Sequence, residues 1–335
     1  MKLLVIGGTG NISRWFVPHL VQQGHEVTLY NRGNLDVRFE GNVKTITGDR
    51  TDYTVFESQM KKMDKFDCVI DRVGFEPADA ESAIRAFKGR IGQYIFCSTV
   101  DVFDKQPLSY PVAENGIRRA SPTFPYAHKK LEMEKIFQRE KREDFPLTIL
   151  RPAATYSEGR SPLVACFGGQ SYHLDRLAKG KPIILHGDGS AIWVASHSED
   201  VGRAFTNAVG NKKSIGQTYN ITGDELLTWK SMHRIVAQEL EAPDPEFVYI
   251  PTTVLAKLAP LESEWCVENF QFNTIFDNTA AKRDLGFEYS IPFRSGVKRC
   301  LAYLKLNNSI ENHDSYPFYE NVLRKWGEMT SIKYK

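Results

Sequence analysis

The first 33 residues constrain the fold more than any other stretch of this 335-residue chain. An apolar run from Leu3 to Ile6 leads directly into a glycine-rich turn at 7–13, a helical pattern follows, and a second apolar run ends at Tyr30. This order predicts a β-α-β unit, in which the turn glycines let the backbone approach a pyrophosphate and the helix amides bind its charge. We therefore expect a dinucleotide ligand, and a purely structural glycine turn is the alternative.

The composition is that of an ordinary globular protein, with 41% hydrophobic and 25% charged residues. A formal net charge of +2 without long one-sign blocks gives no electrostatic case for nucleic acid or a membrane surface. Five scattered cysteines without a CxxC pair predict reduced thiols and a cytoplasmic location. No apolar run reaches the roughly 18 residues of a membrane helix. The histidines lack metal-binding spacing, so we expect no metal.

Strand-like and helix-like patterns alternate from the first unit to about residue 150. Strands are predicted at 67–71, 93–97 and 147–150, with a helix predicted between the first two, at 77–87. Apolar strands separated by helices predict an α/β fold with a Rossmann-type, doubly wound parallel sheet.

The second half of the chain has a different pattern, because the strict alternation of strand-like and helix-like segments ends after Pro152. We expect a dinucleotide-binding domain over 1–152, to which segments near 190–220 return, and a smaller, mainly substrate-binding lobe over 153–305. Ligands of open α/β sheets bind beyond the carboxyl ends of the strands, where such a lobe would close over them. We expect residues 306–335 to form a C-terminal tail. Its two alternative roles are a dimer arm, which would imply a homodimer, and a flap.

The only Tyr-x-x-x-Lys sequence of the chain joins Tyr126 and Lys130. Four residues apart on a helix, the phenol and the ammonium share one face. The positive charge is expected to lower the tyrosine pKa from about 10 toward a range useful for proton transfer. An ordinary surface pair is the alternative. The catalytic reading is favoured by Ser98 and Thr99, which follow the fifth predicted strand, where hydroxyls can face the crevice at the carboxyl edge of the sheet.

Five motifs together resemble the short-chain dehydrogenase/reductases, in the extended branch of NAD-dependent epimerases and dehydratases. The resemblance extends from Met1 to about Tyr303. It rests on Gly7 to Ser13, Cys97 to Phe103, Tyr126 to Lys130, Leu150 to Pro152, and His197 to Val201.

The resemblance implies hydride transfer between a nicotinamide dinucleotide and a sugar or alcohol. Tyr126 would donate or accept the proton, Lys130 would bind the nicotinamide ribose, and Thr99, with Ser98 as the fallback, would hydrogen-bond the reacting oxygen. The implied cofactor-binding residues are Gly7, Thr9, Gly10, Asn11, Ile12, Asn31, Arg32, Asp49, Val73, Gly74, Lys130, Pro152 and Ala153. The substrate-binding candidates are Asp101 and Trp193.

The end of the second strand discriminates between cofactors. An acidic residue there usually accepts a hydrogen bond from the ribose 2′-hydroxyl of NAD. This chain has Asn31 and Arg32 instead, and a guanidinium suits the 2′-phosphate of NADP, which a carboxylate would repel. We therefore expect NADP, with NAD and a merely solvated loop arginine as alternatives.

Two departures from the family pattern narrow the reaction. Dehydratases of the family carry an acid-base Asp-Glu pair after the active-site threonine, and Val100 and Asp101 stand there. Removal of water needs both an acid and a base, so an epimerase or reductase is favoured over a 4,6-dehydratase. Trp193 replaces an arginine that many sugar-nucleotide enzymes place four residues before the motif histidine. It either stacks on substrate or packs in the core.

The function expected from the sequence is an NAD(P)-dependent oxidoreductase or epimerase acting on a sugar or sugar-nucleotide-like substrate. One alternative is a reductase of a small carbonyl compound or natural-product intermediate. Another is a non-catalytic, nucleotide-sensing or RNA-binding member, such as the chloroplast stem-loop-binding proteins, which the chain also resembles. The near-neutral charge gives RNA no evident footprint.

Overall fold

The computed structural model describes residues 1–34, 37, 39–140 and 143–331. The strands are β1 (Lys2–Ile6), β2 (Glu26–Asn31), β3 (Val43–Thr47), β4 (Cys68–Asp71), β5 (Tyr94–Cys97), β6 (Leu147–Pro152), β7 (Ala154–Tyr156), β8 (Ile183–His186), β9 (Ala195–His197), β10 (Thr218–Ile221) and β11 (Phe247–Ile250). The helices are α1 (Ser13–Gln22), α2 (Tyr53–Lys62), α3 (Pro77–Phe87), α4 (Pro125–Arg139), α5 (Tyr172–Ala178), α6 (Ser198–Ala208), α7 (Trp229–Glu239), α8 (Thr252–Leu258), α9 (Thr279–Leu285), α10 (Phe293–Leu306) and α11 (Pro317–Thr330).

Within the described residues, seven strands form one parallel sheet in the order β10-β6-β5-β4-β1-β2-β3. The order runs outward from β1 to β3 and then returns to β4 on the other side of β1. Such a reversal opens a crevice at the carboxyl ends of the two central strands, where ligands of this architecture bind. The predicted Rossmann-type, doubly wound α/β fold is confirmed.

Helices cover both faces of this sheet. On one face α1, α6 and α9 pack together, and the rings of Phe16 and Phe205 stack with centroids 5.4 Å apart. On the other face lie α2, α3 and α4, with Phe56, Phe87 and Phe137 in the core. Because helices bury the central strands on both sides, β1, β4 and β5 are almost continuously apolar rather than alternating.

The described chain divides into two compact units, and the first consists of Met1–Thr155, Ser198–Gly223 and Phe276–Ser290. The last of these segments differs from the sequence prediction, which placed it in the substrate lobe. Its helix α9 has only seven residues, and Leu285 and Phe287 are buried against α6 and β10. So short a helix has little periodic signal, and its position depends on tertiary packing.

The second unit consists of Tyr156–His197, Asp224–Ile275 and the chain from Ile291 onward. In it β8 and β11 pair in parallel, and α7 packs against α5 and α10. Trp229 lies at the centre of an aromatic cluster, and its indole N–H donates to the Phe270 carbonyl at 2.9 Å. This hydrogen bond satisfies the one polar atom that burial of a tryptophan side chain would otherwise leave unpaired.

The C-terminal segment is part of the second unit and not the separate tail that the sequence predicted. Tyr319 on α11 is buried, and its hydroxyl accepts the Ile184 N–H at 2.6 Å. The guanidinium carbon of Arg176 lies 3.9 Å from the centroid of the Tyr319 ring. These contacts attach the C-terminal segment through an aromatic side chain. The surrounding sequence is polar, so the pattern did not reveal that this side chain is buried. The last predicted tail residues, 332–335, lie outside the described residues.

Three further properties of the described chain bear on its chemistry. No helix in these ranges is long and apolar enough to cross a bilayer. The same residues contain no cluster of three or more His, Cys, Asp or Glu side chains that could hold a metal ion. All five cysteines are buried and unpaired.

Three buried histidines make the second unit sensitive to acid. Burial lowers the pKa of His186 and His233 to about 4 and that of His173 well below its usual value. Between pH 6.5 and 4 the unfolded chain therefore takes up protons that the folded chain does not. The contribution of each such histidine to the free energy of unfolding is complete above pH 6.5. It falls by about 1.4 kcal/mol for each pH unit as the pH drops toward 4.

We predict that His173→Phe flattens this pH dependence by the contribution of one histidine. Neither ring nitrogen of His173 has a hydrogen-bond partner, and its ring packs against Tyr172 with centroids 4.0 Å apart, a contact that phenylalanine can keep. Urea unfolding of wild type and variant at pH 7 and pH 5, followed by tryptophan fluorescence, measures the difference. The same loss of stability on acidification in both proteins would contradict the assignment.

Candidate active site

A cleft of about 350 Å³ opens at the carboxyl ends of β1, β2 and β3. It extends to the loop after β4 and so spans the point at which the strand order reverses. Its lining residues are Gly7, Thr9, Gly10, Tyr30, Asn31, Arg32, Gly33, Asn34, Gly48, Asp49, Arg50, Thr51, Val73 and Phe75. Seven of the predicted cofactor-binding residues line this cleft, namely Gly7, Thr9, Gly10, Asn31, Arg32, Asp49 and Val73.

The glycine turn forms one wall of the cleft. Gly7 has a φ of +84°, and a Cβ on it would lie 2.3 Å from the Cγ1 atom of Val73. The Gly7 N–H donates to the Tyr30 carbonyl at 3.0 Å, and the hydroxyl of Ser13 donates to the Gly7 carbonyl at 2.8 Å. Ser13, at the usual position of a third glycine, therefore stabilises the turn. The close backbone approach and the start of α1 fit a diphosphate.

The opposite wall carries the residues that the sequence assigned to the adenosine half. The side-chain oxygen of Asn31 accepts the Gly8 N–H at 2.8 Å, so Asn31 serves the turn itself. Arg32 is exposed at the rim. Asp49 accepts hydrogen bonds from the Thr51 N–H and hydroxyl, and these bonds, with the nearby Arg32 charge, lower its pKa. The wall thus offers a cation and no carboxylate at the end of β2.

A buried ion-pair network holds this cleft together. A guanidinium nitrogen of Arg50 lies 3.0 Å from the Asp71 carboxylate and donates to the Asp79 carbonyl at 2.6 Å. The hydroxyl of Tyr94 donates to the same Asp71 carboxylate at 2.6 Å. Buried charges are tolerated when such pairing satisfies them. The network joins the loop after β3, the end of β4 and the start of α3.

Sequence reasoning missed this network. Its one visible signal is Asp71, a carboxylate that closes an otherwise apolar strand. Arg50 gives no signal, since an arginine in a loop beside Asp49 reads as solvated. Only its burial, at 4% exposure, identifies it as structural.

The proposed catalytic residues meet at the carboxyl end of β5. Thr99, just beyond the strand, shares a side-chain hydrogen bond with Tyr126, near the start of α4. One turn further along α4, the Lys130 ammonium donates to the carbonyls of Gly74, at 2.7 Å, and Cys97, at 2.8 Å. The helix therefore presents the phenol and the ammonium on one face, toward the loops after β4 and β5.

The electrostatics of the pair differ from the sequence expectation. Burial, reinforced by the Asp101 carboxylate, raises the pKa of Tyr126 above its usual value instead of lowering it. Burial lowers the pKa of Lys130 to about 8. The expectation was wrong because the sequence shows the spacing of the two groups and not their desolvation, which at Tyr126 outweighs the Thr99 hydrogen bond and the Arg72 charge that lower the pKa.

Two neighbouring candidates have other partners. Ser98 lies beside the buried carboxylate of Glu134 and helps to lower the pKa of that group, so its position favours Thr99 for contact with Tyr126. Asp101 accepts hydrogen bonds from Lys105, at 2.9 Å, and from Thr99, at 3.2 Å. Its carboxylate therefore acts on Tyr126 from within an ion pair.

The remaining cofactor candidates lie next to the cleft or in the core. The Asn11 amide donates to the Thr155 hydroxyl at 3.4 Å, and Ile12 is 3% exposed within the core under α1. Pro152 ends β6, and Ala153 packs on Val100 with the neighbouring aromatic cluster. Ile12 thus supports the turn from below.

Trp193 lies in the core of the second unit. It is 5% exposed, stacks on Trp229 with ring centroids 5.1 Å apart, and meets the Phe270 ring edge-on at 5.0 Å. These contacts favour the packing alternative over a stacking contact with substrate. An arginine at this position would be buried among aromatic rings without a counter-charge, which explains why a tryptophan suits this core.

Comparisons with known proteins agree with this geometry. The model of the NAD dependent epimerase/dehydratase family matches residues 3–222, and the chain belongs to that family. It is similar to the chloroplast stem-loop binding protein of 41 kDa b of Arabidopsis thaliana, with 28% identity over 74% of this chain and 65% of that protein. It is 25% identical to 2′-dehydrokanamycin reductase of Streptomyces kanamyceticus, over 83% of this chain and 77% of the reductase.

Solved structures show the same fold. UDP-glucuronic acid 4-epimerase of Bacillus cereus, in complex with UDP-glucuronic acid and NAD, superposes with a TM-score of 0.70. The two chains are 18% identical, and the match covers 92% of this chain and 100% of the epimerase. This likeness confirms the predicted Rossmann-type fold, while family membership rests on the match to the family model.

We predict that Lys130→Met stabilises the protein while it damages the site. The folded-state pKa of about 8 lies below the usual 10.5, so below pH 8 the full penalty of a buried ammonium is present, and it disappears as the pH rises toward 10.5. Removing the charge should raise the free energy of unfolding at pH 7 by up to about 3 kcal/mol. Methionine nearly preserves the shape of the side chain.

Urea unfolding of Lys130→Met at pH 7 and at pH 10 measures this effect. The matched control is Lys129→Met on the same helix, whose ammonium forms a half-exposed ion pair with Glu76 at 2.6 Å. Such a surface pair contributes about 0–1 kcal/mol, so the control should lose little stability. A variant at 130 that is less stable than wild type at pH 7 would show that the two carbonyl contacts outweigh the burial of the charge.

Proposed function

We propose that the protein is an NAD(P)-dependent oxidoreductase or epimerase that acts on a sugar-like hydroxyl or carbonyl compound. The observation that carries the proposal is the meeting of Thr99, Tyr126 and Lys130 next to a cleft whose glycine turn suits the diphosphate of a dinucleotide. The bound cofactor supplies the hydride donor or acceptor. Gly7, Thr9 and Gly10, which line the cleft, would hold its diphosphate together with the N-terminus of α1.

In this proposal Tyr126 moves the proton. Its raised pKa keeps the phenol protonated at neutral pH, so it is suited to donate a proton to a carbonyl oxygen that is being reduced. Thr99 hydrogen-bonds the same oxygen and holds it at the phenol. Lys130, fixed by two carbonyls, places its charge where it can bind ribose hydroxyls and favour negative charge on the substrate oxygen.

Reduction of a carbonyl is the direction that this charge distribution favours. An epimerase must first remove a proton from a hydroxyl group, and a phenol that is protonated at rest has to lose its own proton before it can act as that base. One relative is named 2′-dehydrokanamycin reductase, which supports reduction of a carbonyl group in a sugar-like substrate. The name of another relative, a stem-loop binding protein, supports the alternative of RNA binding. Cytoplasmic localisation and a homodimer stay predictions.

We predict that Tyr126→Phe cuts turnover by about 100-fold or more, the usual scale of general acid-base help, while NADPH affinity changes little. The assay follows NADPH oxidation with a panel of keto-sugars and small ketones. Tyr110→Phe, an exposed tyrosine of the same unit, is the matched control and should keep the wild-type rate. A Tyr126→Phe enzyme as fast as wild type would refute the assigned role, and stem-loop RNA binding without any turnover would favour the alternative.

We predict that the wild type binds NADPH more tightly than NADH, because β2 ends with the neutral Asn31, followed by the cation Arg32, where NAD-binding proteins usually carry a carboxylate. Arg32→Ala should lose about 10- to 100-fold of that preference, the value of a charge-assisted hydrogen bond. Asn31→Asp should reduce it as well, since the new carboxylate would repel a 2′-phosphate. Fluorescence titration measures both affinities, with the exposed Lys44→Ala as control. Equal affinities of the wild type for the two cofactors would overturn the prediction.

A further inference from the structure

Arg72 is the first residue after β4, at the carboxyl edge of the sheet. Its guanidinium carbon lies 5.1 Å from the centroid of the Phe205 ring, and one of its nitrogens donates to the thiol of Cys97. Cys97 is the last residue of β5, and β4 lies between β5 and β1. The guanidinium therefore extends toward β5 and the catalytic residues, away from β1 and its glycine turn.

The charge of Arg72 is not balanced by the described part of the chain. Among the described residues, no carboxylate lies within 4.0 Å of it, and its buried Nε has no hydrogen-bond partner. A thiol is only a weak acceptor. Three other buried arginines of the chain each reach a carboxylate: Arg50, Arg151 and Arg176.

An arginine without a neighbouring carboxylate is suited to bind an anion. A partly buried guanidinium without a counter-charge costs free energy, and its planar fork of N–H groups matches the oxygens of a carboxylate or phosphate. The Phe205 ring and the Cys97 thiol hold the group in one place, which reduces the entropy that binding would remove.

Arg72 also lies within electrostatic range of the catalytic pair. The pKa of Lys130 falls mainly through burial, and the charge of Arg72 lowers it further. The same charge opposes the rise that burial causes in the pKa of Tyr126. An anion bound at Arg72 would therefore sit beside the atoms that are proposed to react.

We propose that Arg72 binds an oxyanion of the substrate, a carboxylate or phosphate, close to the carbon that is reduced or oxidised at Tyr126. The inference rests on the proposed function and narrows its substrate to acidic carbonyl or hydroxy compounds. It adds a second anion site to the diphosphate site at the glycine turn. The two lie at different strands, because Arg72 points to β5 and the turn follows β1.

Inorganic phosphate is the probe, titrated calorimetrically into protein that has first been saturated with NADPH. The cofactor fills the glycine-turn site, so phosphate then reports on Arg72. The wild type should bind one phosphate saturably, and Arg72→Met should weaken this binding by about 10-fold or more, the scale of a charge-assisted hydrogen bond. Arg72→Lys should fall between the two, because it keeps the charge and loses the fork.

The matched control is Arg119→Met, which removes an exposed arginine paired with Asp104 at 3.3 Å and should bind phosphate as the wild type does. Thermal melting first establishes that each variant is folded, and Arg72→Lys carries the comparison if Arg72→Met is not. No phosphate binding by the NADPH-saturated wild type, or wild-type affinity in the folded Arg72 variants, would overturn the proposal.

Failure of the proposed function would look different. If NADPH does not bind, that function is contradicted, and the titration is read on the cofactor-free protein. Phosphate binding should then show two components, of which Arg72→Met removes one. Loss of neither component would refute the anion site independently of the cofactor.

Discussion

The cofactor cleft depends on the buried ion pairs of Arg50. This one side chain reaches the carboxylate of Asp71 and the backbone of Asp79, while Tyr94 completes the hydrogen bonds of Asp71. Removing a single partner from such a network leaves an uncompensated buried charge, at a cost of about 3–5 kcal/mol. The network therefore ties three loops at the edge of the sheet into one arrangement. Asp49 and the loop after β4, which both line the cleft, are thus positioned by buried charges in the wall of the cleft itself.

Local sequence patterns were sufficient to predict the N-terminal β-α-β unit and its glycine turn. The apolar run from Leu3 to Ile6 and the turn at 7–13 act over short distances, so sequence alone predicted the β-α-β unit and the glycine turn that lines the cleft. The Arg50 network was beyond reach, because a charged loop residue is usually solvated and only tertiary packing buries it. The position of 276–290 was missed for a related reason: its short helix is stabilised by distant strands and not by its own periodicity.

The same limit explains the error about Tyr126. Spacing on a helix correctly placed the phenol and the Lys130 ammonium on one face, and the Coulomb attraction between a tyrosinate and an ammonium has the expected sign. The pKa, however, is the balance of that attraction against desolvation, and desolvation is a property of the folded site. Desolvation raises the pKa of Tyr126 and lowers that of Lys130, and so favours the neutral form of each group. This balance favours a phenol that gives a proton over a phenolate that takes one.

Asn31, at the end of β2, affects both the glycine turn and the charge of the cleft wall. The Asn31 side chain accepts the Gly8 N–H and so stabilises the glycine turn without adding a charge. An aspartate could make the same hydrogen bond, but its charge would act on every group at the cleft wall. With a neutral residue at 31, the exposed Arg32 places a positive charge at the rim of the cleft beside the end of β2. The turn thus keeps its shape while the wall becomes compatible with an additional phosphate, which a carboxylate at 31 would oppose.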